Sequence, residues 1–562
     1  MNISIILAAG EGIRMRSDTP KVLHKICGKP ILEYVIDASR FANVDKSYVI
    51  VGHGGEEVRE NFKDKDIVFK TQSIGEEFPY GTGYAVMQAI DYVEDDDNVI
   101  ILYGDAPLIS PKTIENLLKY HNENQYMGTV LTAIVEDPTG YGRIVRGENG
   151  EILKIVEHKD ATEDELKIKE INSGIYCFNG KNLKEALAKI DNNNAQGEYY
   201  ITDVISILKD KGENVGVFLI DNPDEIYGIN SRVQLAFCEK IMRNRINQKY
   251  MDEGITIINP ENTYIELGAK IGRDSIIYPG AIITKGTIIG EECIIGENSR
   301  IENSKIGNKV HIYSSTITDS IVEDKCSIGP YAHLRPNSHL KNNVHIGNFV
   351  EVKNSTIGDN SKAGHLAYIG DANVGKNVNI GCGVIFVNYN GQEKFRTIVE
   401  DNAFVGSNAN LVAPVVVREW GYVAAGSTIT DEVKDKNIDD LVEEATNGNQ
   451  YAQFKLGKLY LTGEGVMRDK EEAIKWLSLS VEQGNQHAKN FLDNIDKVYN
   501  QSVPQIVSRM FHHMSKIFED NIPLQTPKVG KKIDSKLLRR LREKKMAQGH
   551  KKNDYEQERT DL

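Results

Sequence analysis

The hydrophobic pattern of the first 230 residues alternates short β-rich runs with amphipathic stretches. Apolar runs at 4–7, 47–51, 99–103 and 128–134 predict buried strands, and the segments 30–40 and 85–92 predict helices between them. Strands that alternate with helices are typical of a mainly parallel, doubly wound sheet, so we expect an α/β domain of Rossmann-like architecture. Functional loops then belong at the carboxyl ends of the strands.

A different pattern runs from about residue 264 to 430, where an aliphatic residue followed by glycine recurs. Many of the spacings are close to multiples of six, as between Ile271-Gly272, Ile289-Gly290 and Ile295-Gly296. A hexapeptide period predicts three flat faces per coil, with the aliphatic residues stacked inward and small residues at the corners. The segment is therefore predicted to be a parallel β-helix, and one poorly covered face predicts self-association.

A third pattern occupies residues 447–492, where small and aliphatic residues recur at helical spacing on both sides of a glycine turn at 463–465. This predicts a helical hairpin, and it resembles one Sel-like repeat of the tetratricopeptide superfamily. Repeat arrays usually need about three units, so a single unit is expected to dock on something or to be only marginally stable. Residues 528–562 are basic and polar, which predicts disorder or a basic helix around 536–546.

These patterns predict five segments. They are an α/β domain over 1–230, a helical linker over 231–252, a β-helix over 253–433, a helical repeat over 434–498 and a basic tail over 499–562. The whole chain has 562 residues, which is too long for one core and predicts two to four domains.

Composition excludes several classes of protein. The chain has 40% apolar and 26% charged residues, its net charge is −14, and no apolar run reaches the roughly 18 residues of a membrane helix. No signal-peptide pattern opens the chain, so we expect a cytoplasmic protein. The six cysteines contain no C-x-x-C pair, which argues against a disulfide framework or a structural zinc site. The last 35 residues hold twelve Lys/Arg against six Asp/Glu, so only the tail fits nucleic-acid contact.

The first strand ends in a glycine turn that suits a phosphate. Gly10 and Gly12 allow close backbone approach, and Arg14 and Arg16 follow them. Lys21 offers a further cation, although by itself it fits a solvated surface lysine better. A second glycine turn, Gly81-Thr82-Gly83, precedes a helical segment.

A carboxylate follows another of the predicted strands, in Tyr103-Gly104-Asp105. Asp105 fits either a cap for the next turn or a magnesium ligand, because Mg²⁺ takes one or two carboxylate or carbonyl oxygens together with substrate phosphates.

The order and spacing of several motifs resemble the family of bacterial N-acetylglucosamine-1-phosphate uridylyltransferases. The matching residues are Leu7-Ala8-Ala9-Gly10, Arg14-Met15, Pro20-Lys21, Tyr103-Gly104-Asp105, Gly140-Tyr141-Gly142-Arg143, Glu157-His158-Lys159, Asn172-Ser173-Gly174 and Asn194-Ala195-Gln196-Gly197-Glu198-Tyr199. The resemblance covers residues 1 to about 433.

The resemblance implies a role for each matching position. It implies nucleotide and phosphate binding by Leu7, Ala8, Ala9, Gly10, Gly104, Arg14 and Lys21, uracil recognition by Gln72, Gly81 and Thr82, sugar-phosphate binding by Tyr103, Gly142, Glu157 and Asn172, and Mg²⁺ ligation by Asp105 and Asn230. The implied reaction is in-line attack of GlcNAc-1-phosphate on the α-phosphorus of UTP, in which positioning and charge neutralisation by Arg14, Lys21 and the cation provide catalysis.

Two departures from the family pattern lie in this domain. Ile13 stands where family members usually have Thr, and about four extra residues lie between Gln72 and Gly81, within 73–80. The loss of one neutral hydrogen bond costs roughly 0.5–1.5 kcal/mol, so neither change is expected to abolish activity.

The β-helix carries a polar cluster that a pure scaffold does not need. His365 recurs with Arg, Lys, Tyr and Asn side chains at coil-related spacing, and the segment 388–395 interrupts the hexapeptide rhythm as a loop would. These segments resemble the glucosamine-1-phosphate N-acetyltransferase half of the same bifunctional family, a left-handed β-helix that forms trimers. The resemblance implies that His365 is the general base, that Arg335, Lys353, Tyr368 and Asn379 bind the sugar phosphate, and that Cys382, Asn388, Tyr389, Ser407 and Ala425 line the acetyl-CoA side.

The resemblance stops after residue 433. The family has a Ser-Arg-x-Pro-like stretch there whose arginine meets acetyl-CoA, whereas residues 437–444 contain no arginine. Losing a charge-assisted contact costs about 1.5–3 kcal/mol, which predicts weaker acetyl-CoA use with the chemistry retained. Residues after 510 resemble the tail of mobilisation relaxases, and His512-His513 fits a helix surface better than a metal site.

Three hypotheses follow. The leading one is a bifunctional enzyme that makes UDP-GlcNAc, a precursor of peptidoglycan, from UTP and acetyl-CoA as co-substrates, with Mg²⁺, as a homotrimer. The alternative keeps only uridylyl transfer, with the β-helix as a trimer scaffold. A third is a fusion whose C-terminus recruits a protein partner or DNA.

Overall fold

The N-terminal sheet is mixed, with helices on both faces. Its strands run in the order β11-β7-β10-β6-β1-β4-β5, and β8 and β9 extend it beside β10. In chain order the strands are β1 (Asn2–Ala8), β2 (Lys25–Ile26), β3 (Lys29–Pro30), β4 (Lys46–Val51), β5 (Val68–Thr71), β6 (Asn98–Tyr103), β7 (Gly128–Ile134), β8 (Arg143–Arg146), β9 (Ile152–Val156), β10 (Glu170–Asn179) and β11 (Val215–Leu219), of which β2 and β3 form a separate hairpin.

The structure is a computed structural model that describes residues 1–75, 78–148, 150–194, 196–434, 438–463 and 466–499. It divides into two units, Met1–Asp435 and Lys436–Leu562. The predicted basic tail and relaxase-like segment lie outside the described residues.

Seven helices of the first unit accompany the strands. They are α1 (Ile31–Phe41), α2 (Gly55–Asn61), α3 (Thr82–Met87), α4 (Pro111–Glu123), α5 (Gly180–Leu187), α6 (Asp203–Asp210) and α7 (Arg232–Asp252), and short 3-10 turns lie at Ile13–Met15, Lys21–Leu23, Ile90–Tyr92, Glu165–Lys167, Pro223–Ile226 and Pro260–Asn262.

The predicted strands are confirmed, and the helix predicted over 85–92 is wrong in extent. Helix α3 begins at Thr82 and ends at Met87, and a separate 3-10 turn follows. The pairings along β7-β11 and along β6-β1-β4-β5 are parallel, whereas β10 runs antiparallel to β6, β7 and β8, and β9 runs antiparallel to β8. The α/β class is thus confirmed.

The β-helix stacks short strands into three parallel sheets. The first face holds Thr256–Ile257, Ile276–Ile277, Ile294–Ile295, His311–Ile312, Ser327–Ile328, His345–Asn348, Lys362–His365, Asn379–Ile380, Phe404–Val405 and Tyr422–Val423. The second face holds Tyr264–Ile265, Ile282–Ile283, Arg300–Glu302, Thr316–Thr318, His333–Leu334, Glu351–Lys353, Tyr368–Gly370, Ile385–Val387, Asn410–Val412 and Thr428–Ile429. The third face holds Lys270–Ile271, Ile288–Ile289, Lys305–Ile306, Ile321–Val322, His339–Leu340, Thr356–Ile357, Ala372–Val374, Thr397–Val399 and Val415–Val417.

The hexapeptide pattern explains this prism. One aliphatic residue of each strand points inward and is buried, as Ile277, Ile295 and Ile312 are on the first face. Corners between faces turn through residues with positive φ, which are mostly asparagine or glycine. The left-handed β-helix predicted from the glycine pattern and the resemblance is confirmed.

The second unit is helical. Its helices are α8 (Ile438–Thr446), α9 (Gln450–Thr462), α10 (Lys470–Glu482), α11 (Gln486–Asp493) and α12 (Ile495–Tyr499). Helices α9 and α10 form the predicted hairpin, and Gly457 permits their close approach because a Cβ there would lie 3.0 Å from the backbone nitrogen of Leu477. Helix α8 adds Leu441 and Ala445 to the core of the hairpin, so the repeat does not stand alone.

Among the described residues, no helix combines the length and the apolarity needed to cross a membrane.

Candidate functional sites

The glycine loop after β1 packs directly against Lys21. Gly12 has a φ of 67°, in the left-handed region, and begins the 3-10 turn Ile13–Met15. A Cβ at Gly12 would lie 2.7 Å from the Cβ of Lys21, so any larger residue would push the lysine away. Ile13, which replaces the family's threonine, is 77% exposed, and Arg14 is exposed beside it. The loop therefore presents backbone and one arginine to solvent above the lysine stem.

Lys21 joins two oxygen ligands from distant parts of the chain. Its Nζ lies 2.5 Å from Oδ2 of Asp105 and 3.0 Å from Oδ1 of Asn230. Asp105 follows β6, and Asn230 immediately precedes the N-cap of α7. The backbone N–H of Ile229 donates to the carbonyl of Asp105 at 2.8 Å, which ties the two segments together.

The Asp105–Asn230 pair has the donor chemistry that Mg²⁺ prefers. A carboxylate oxygen and an amide oxygen converge on one point, at which the ammonium of Lys21 now lies. No group of three or more His, Cys, Asp or Glu residues suitable for a metal occurs in the part of the chain that the structure describes. A cation held here would complete its coordination with oxygens of water or of a substrate.

The residues implied to bind the sugar phosphate lie together. A Cβ at Gly142 would lie 3.4 Å from Oε1 of Glu157 and 3.5 Å from the Cβ of Asn172. The backbone N–H of Asn172 donates to the carbonyl of Gly142 at 2.9 Å, and its side chain donates to the hydroxyl of Tyr176 at 2.7 Å. Burial, followed by repulsion from neighbouring carboxylates, raises the pKa of Glu157. The cluster forms a polar, partly desolvated wall.

Tyr103 connects this wall to the second glycine turn. Burial raises the pKa of its phenol, and a hydrogen bond with the Thr82 side chain opposes that rise. Gly174 lies under the ring, where a Cβ would be 2.6 Å from a ring carbon, and its φ of 80° also requires glycine. Gly104 leaves little room for a side chain, because a Cβ there would lie 3.1 Å from the Leu7 carbonyl oxygen and 3.2 Å from the Cβ of Ala8.

The glycine turn implied to recognise uracil packs on the backbone of Tyr199, a contact that the sequence did not indicate. A Cβ at Gly81 would lie 2.5 Å from the Tyr199 carbonyl oxygen, and the Tyr80 carbonyl accepts from the Tyr199 N–H at 2.8 Å. Gln72 follows β5 and is 5% exposed. Ile74 belongs to the extra residues predicted within 73–80. Its side chain lies 3.1 Å from where a Cβ of Gly52 would be, directly after the end of β4.

A second polar cluster lies on the β-helix around His365. Its Nδ1 lies 2.5 Å from Oδ1 of Asn348, which is its register partner on the coil below. Because an amide oxygen only accepts, Nδ1–H donates, and in the neutral ring the lone pair lies on Nε2. His365 is exposed, and this hydrogen bond holds its ring in one orientation. An exposed, oriented imidazole suits a general base.

Of the implied sugar-phosphate residues, Arg335, Lys353 and Tyr368 lie in or directly after strands of the adjacent second face, whereas Asn379 lies on the first face with His365. Arg335 Nη1 donates to Glu351 Oε1 at 2.8 Å. Lys353 lies against Lys394 of the interrupting loop, and this neighbouring ammonium lowers the pKa of Lys394. Concentrated positive charge of this kind suits a phosphate.

Tyr368 and Asn388 form a network with a residue that sequence reasoning missed. Asn388 Nδ2 lies 3.4 Å from the Tyr368 hydroxyl and 2.5 Å from Oδ2 of Asp371. Asp371 also accepts from Asn354 at 2.5 Å and is 8% exposed. It fixes the start of the 388–395 loop, which leaves the coil as predicted and contains a bridge between Tyr389 and Lys394.

Residues implied for acetyl-CoA follow one corner of the prism. The carbonyl of Cys382 accepts from Asn408, and that of Ser407 accepts from Gly426 at 2.8 Å, so Cys382, Ser407 and Ala425 lie on successive coils. Asn379 is exposed one strand earlier, and Tyr389 is 55% exposed in the loop. Cys382, Ser407 and Ala425 therefore follow strands of the first face, which also carries His365. Arg335 and Lys353 lie at the second face.

Fold and sites together define a nucleotidyltransferase joined to a hexapeptide-repeat acyltransferase. Family profiles described as "Nucleotidyl transferase", "Bacterial transferase hexapeptide (six repeats)" and "Sel1 repeat" match residues 3–223, residues 268–303 with 319–354, and residues 450–485.

Named relatives specify the family. The bifunctional protein GlmU of Clostridioides difficile (strain 630) is 55% identical over 433 residues, which cover 77% of this chain and 93% of that protein. The proteins of the same name from Alkaliphilus metalliredigens and Acetivibrio thermocellus are 54% and 50% identical, over 76% and 78% of this chain and 93% and 94% of their own lengths. The chain belongs to the bifunctional GlmU family.

Membership decides between the hypotheses drawn from the sequence. The chain is an enzyme of UDP-GlcNAc synthesis with uridylyltransferase and acetyltransferase activities, and the bifunctional prediction is confirmed over the uridylyltransferase-only alternative. The Sel-like repeat is confirmed as well.

Proposed function

We propose that the site around Lys21 transfers a uridylyl group from UTP to GlcNAc-1-phosphate. The convergence of Lys21, Asp105 and Asn230 beneath the glycine loop carries this proposal. Loop N–H groups with Arg14 and Lys21 hold the triphosphate, and the Gly142–Glu157–Asn172 wall orients the sugar. The sugar phosphate's oxygen attacks the α-phosphorus and pyrophosphate leaves. Mg²⁺ held by Asp105 and Asn230 supplies charge neutralisation when bound.

The β-helix site is proposed to acetylate glucosamine-1-phosphate. His365 Nε2 takes a proton from the 2-amino group as the amine attacks the thioester carbonyl of acetyl-CoA, and the CoA thiolate leaves. Arg335, Lys353, Tyr368 and Asn379 hold the phosphate and sugar. Cys382, Asn388, Tyr389, Ser407 and Ala425 line the thioester side, with the N–H of Cys382 toward the oxyanion. The hydrogen bond from His365 to Asn348 supports this assignment.

Two variants test both assignments in one protein. Asp105→Asn is expected to lower uridylyl transfer by at least about 100-fold, measured as pyrophosphate release, while acetyl transfer, measured as CoA release, stays at its original rate. His365→Ala is expected to give the reverse pattern, since a general base contributes about 10²–10⁴-fold. Loss of both activities in either variant would contradict separate sites.

A homotrimer is proposed on the basis of an exposed apolar ridge. Tyr331, Phe349 and Leu366 occupy the same corner on successive coils and are 61%, 55% and 57% exposed. The rings of Tyr331 and Phe349 stack with centroids 5.5 Å apart, which forms one continuous surface. Leu366 follows His365 directly, so the ridge adjoins the proposed acetyl-transfer site, and a second copy of the chain is the proposed occupant.

The helical unit after residue 436 is proposed to bind a protein or nucleic-acid partner and to leave both reactions alone. The match to the Sel1 repeat over residues 450–485 and the basic tail that follows it support this proposal. Removal of residues 440–562 tests this. Unchanged activities with loss of DNA retention or of a captured partner are expected, and a loss of either activity would contradict the proposal.

A further inference from the structure

A cation of the protein itself lies where the two proposed metal ligands converge. Lys21 Nζ is within hydrogen-bond distance of both Asp105 Oδ2 and Asn230 Oδ1, and the side chains of Lys21 and Asp105 are only 11% and 14% exposed. Mg²⁺ binds such oxygens at about 2.0–2.1 Å and keeps several other ligands around it. The ammonium and the metal ion therefore cannot share this position.

We infer that Lys21 is a resident counter-ion that keeps the Asp105–Asn230 pair closed to metal until nucleotide arrives. This inference rests on the proposed role of the pair as a metal site. A carboxylate this well shielded from water needs a positive partner, and Lys21 provides one in the nucleotide-free enzyme. Lys21 thus has two tasks, of which phosphate binding is only the second.

The glycine loop couples the two tasks. The stem of Lys21 lies against Gly12, at a distance that leaves no room for a Cβ, so the loop and the lysine cannot move independently. A triphosphate held by the loop offers Lys21 several anionic oxygens in place of one carboxylate. When the ammonium turns to them, the pair is released to the metal ion that accompanies the phosphates.

This exchange makes metal and nucleotide binding mutually favourable. While Lys21 holds the pair, the metal affinity is reduced by the fraction of molecules in which the pair is open. Coupling between two ligands is commonly 5- to 150-fold. The free enzyme is therefore expected to bind divalent metal weakly, and removal of the lysine charge is expected to restore tight binding at the cost of uridylyl transfer.

The test is Mn²⁺ binding to the nucleotide-free, full-length protein, followed by electron paramagnetic resonance. Lys21→Met keeps the length of the side chain and removes its charge. It is expected to bind Mn²⁺ at least about tenfold more tightly than the original protein. Lys25→Met, at an exposed lysine four residues away, is the matched control and is expected to leave the affinity unchanged.

Further variants separate the possible failures. The double variant Lys21→Met with Asp105→Asn is expected to lose the gain in Mn²⁺ affinity. Thermal unfolding shows whether Lys21→Met is folded. If it is not, Lys21→Ala is used instead and is expected to show the same gain. Equal affinity of the Lys21 variants and the original protein would overturn the inference while leaving the metal site intact. Mn²⁺ binding unaffected by Asp105→Asn would instead overturn the proposed metal site and the inference with it.

Discussion

At the scale of single residues, His365, the proposed base for acetyl transfer, is hydrogen-bonded to an amide from the coil below. Asn348 accepts a hydrogen bond from Nδ1 of His365, which selects the tautomer with its lone pair on Nε2 in the neutral ring and fixes the ring plane. Asn348→Ala is expected to lower kcat for acetyl transfer about 10- to 100-fold, because a misplaced base loses its alignment with the amine.

Steady-state CoA release checks this prediction, with pyrophosphate release from the same preparation as the internal control. Asn348→Asp keeps an acceptor at the same place and is expected to retain more activity than Asn348→Ala. Equal losses in the two variants would show that the residue acts through packing alone.

A second residue-scale prediction concerns pH and stability. His121 is 2% exposed, its Nδ1 lies 2.8 Å from the Thr129 hydroxyl, and burial lowers its pKa to about 4. Between pH 6.5 and 4 the unfolded chain gains a proton at this residue and the folded chain does not, so stability is lost as the pH falls. The loss between pH 7 and 5 is expected to be about 2 kcal/mol.

Chemical denaturation at pH 7 and pH 5 measures this loss. His121→Gln cannot take up the proton, and its stability is expected to fall less over the same interval. An identical fall in the variant and the original protein would assign the pH dependence to other groups.

The sequence alone could predict the contacts of some site residues and not those of others. Lys21 is 84 residues from Asp105 and 209 from Asn230, and by spacing alone it fitted a surface lysine; only the family resemblance indicated that the three meet. Asn348 and Asp371 were missed because the hexapeptide pattern marks inward positions only. Which outward residues are neighbours depends on the number of residues per coil. That number is 17 between Asn348 and His365, whereas three hexapeptides would give 18.

At the scale of elements, periodicity predicted strands better than helices. Strands β1, β4, β6 and β7 are continuous apolar runs, and buried parallel strands produce that signal directly. Helix α3 instead begins at Thr82, inside a glycine turn, because Gly81 and Gly83 both pack on the Tyr199 backbone. That contact joins segments more than 100 residues apart, which local sequence does not encode.

Helix α7 contacts the chain on both sides of Lys21. Glu239 Oε2 accepts from the backbone N–H of Cys27 at 2.7 Å, in the turn between β2 and β3 that follows Lys21. Cys27 has a φ of 44°, a left-handed conformation that is costly for a residue with a side chain. On the other side of Lys21, Arg232 Nε donates to the Met15 carbonyl at 3.2 Å. The helix thus holds the Lys21 segment from both ends.

Glu239→Ala is expected to destabilise the protein by about 1–3 kcal/mol and to lower uridylyl transfer, because the N–H of buried Cys27 loses its acceptor. Thermal unfolding and pyrophosphate release measure the two effects. Lys240→Ala, at an adjacent exposed residue, is the control. Recovery of the rate in Glu239→Gln, which keeps an acceptor, is expected; an unchanged rate in Glu239→Ala would limit α7 to a connecting role.

At the scale of the whole molecule, the resemblance to the family ends after residue 433. The stretch that follows, residues 437–444, lacks the arginine that the resemblance implies for acetyl-CoA binding. The acidic helix α8, with Asp439, Asp440, Glu443 and Glu444, begins in the stretch where the family has its arginine. The KM for acetyl-CoA is expected to be about 10- to 100-fold above that of a family member that carries the arginine.

Acetyltransferase kinetics on the full-length chain and on residues 1–433 test this expectation. Similar, raised KM values in both would attribute the loss to the missing arginine and not to interference by the second unit. A KM in the full-length protein equal to that of the arginine-bearing relative would contradict the prediction.

The apolar ridge gives a last prediction at this scale, because three exposed side chains on one corner should be covered in the working enzyme. Sedimentation at micromolar concentration is expected to give three copies of the 62.9-kDa chain. Phe349→Glu places a charge in the middle of the ridge and is expected to shift the protein to monomers and to lower acetyl transfer, since Leu366 adjoins His365. Phe41→Glu, at a residue 60% exposed on the N-terminal domain, is the control. A trimer that survives Phe349→Glu unchanged would place the subunit contact on another face of the prism.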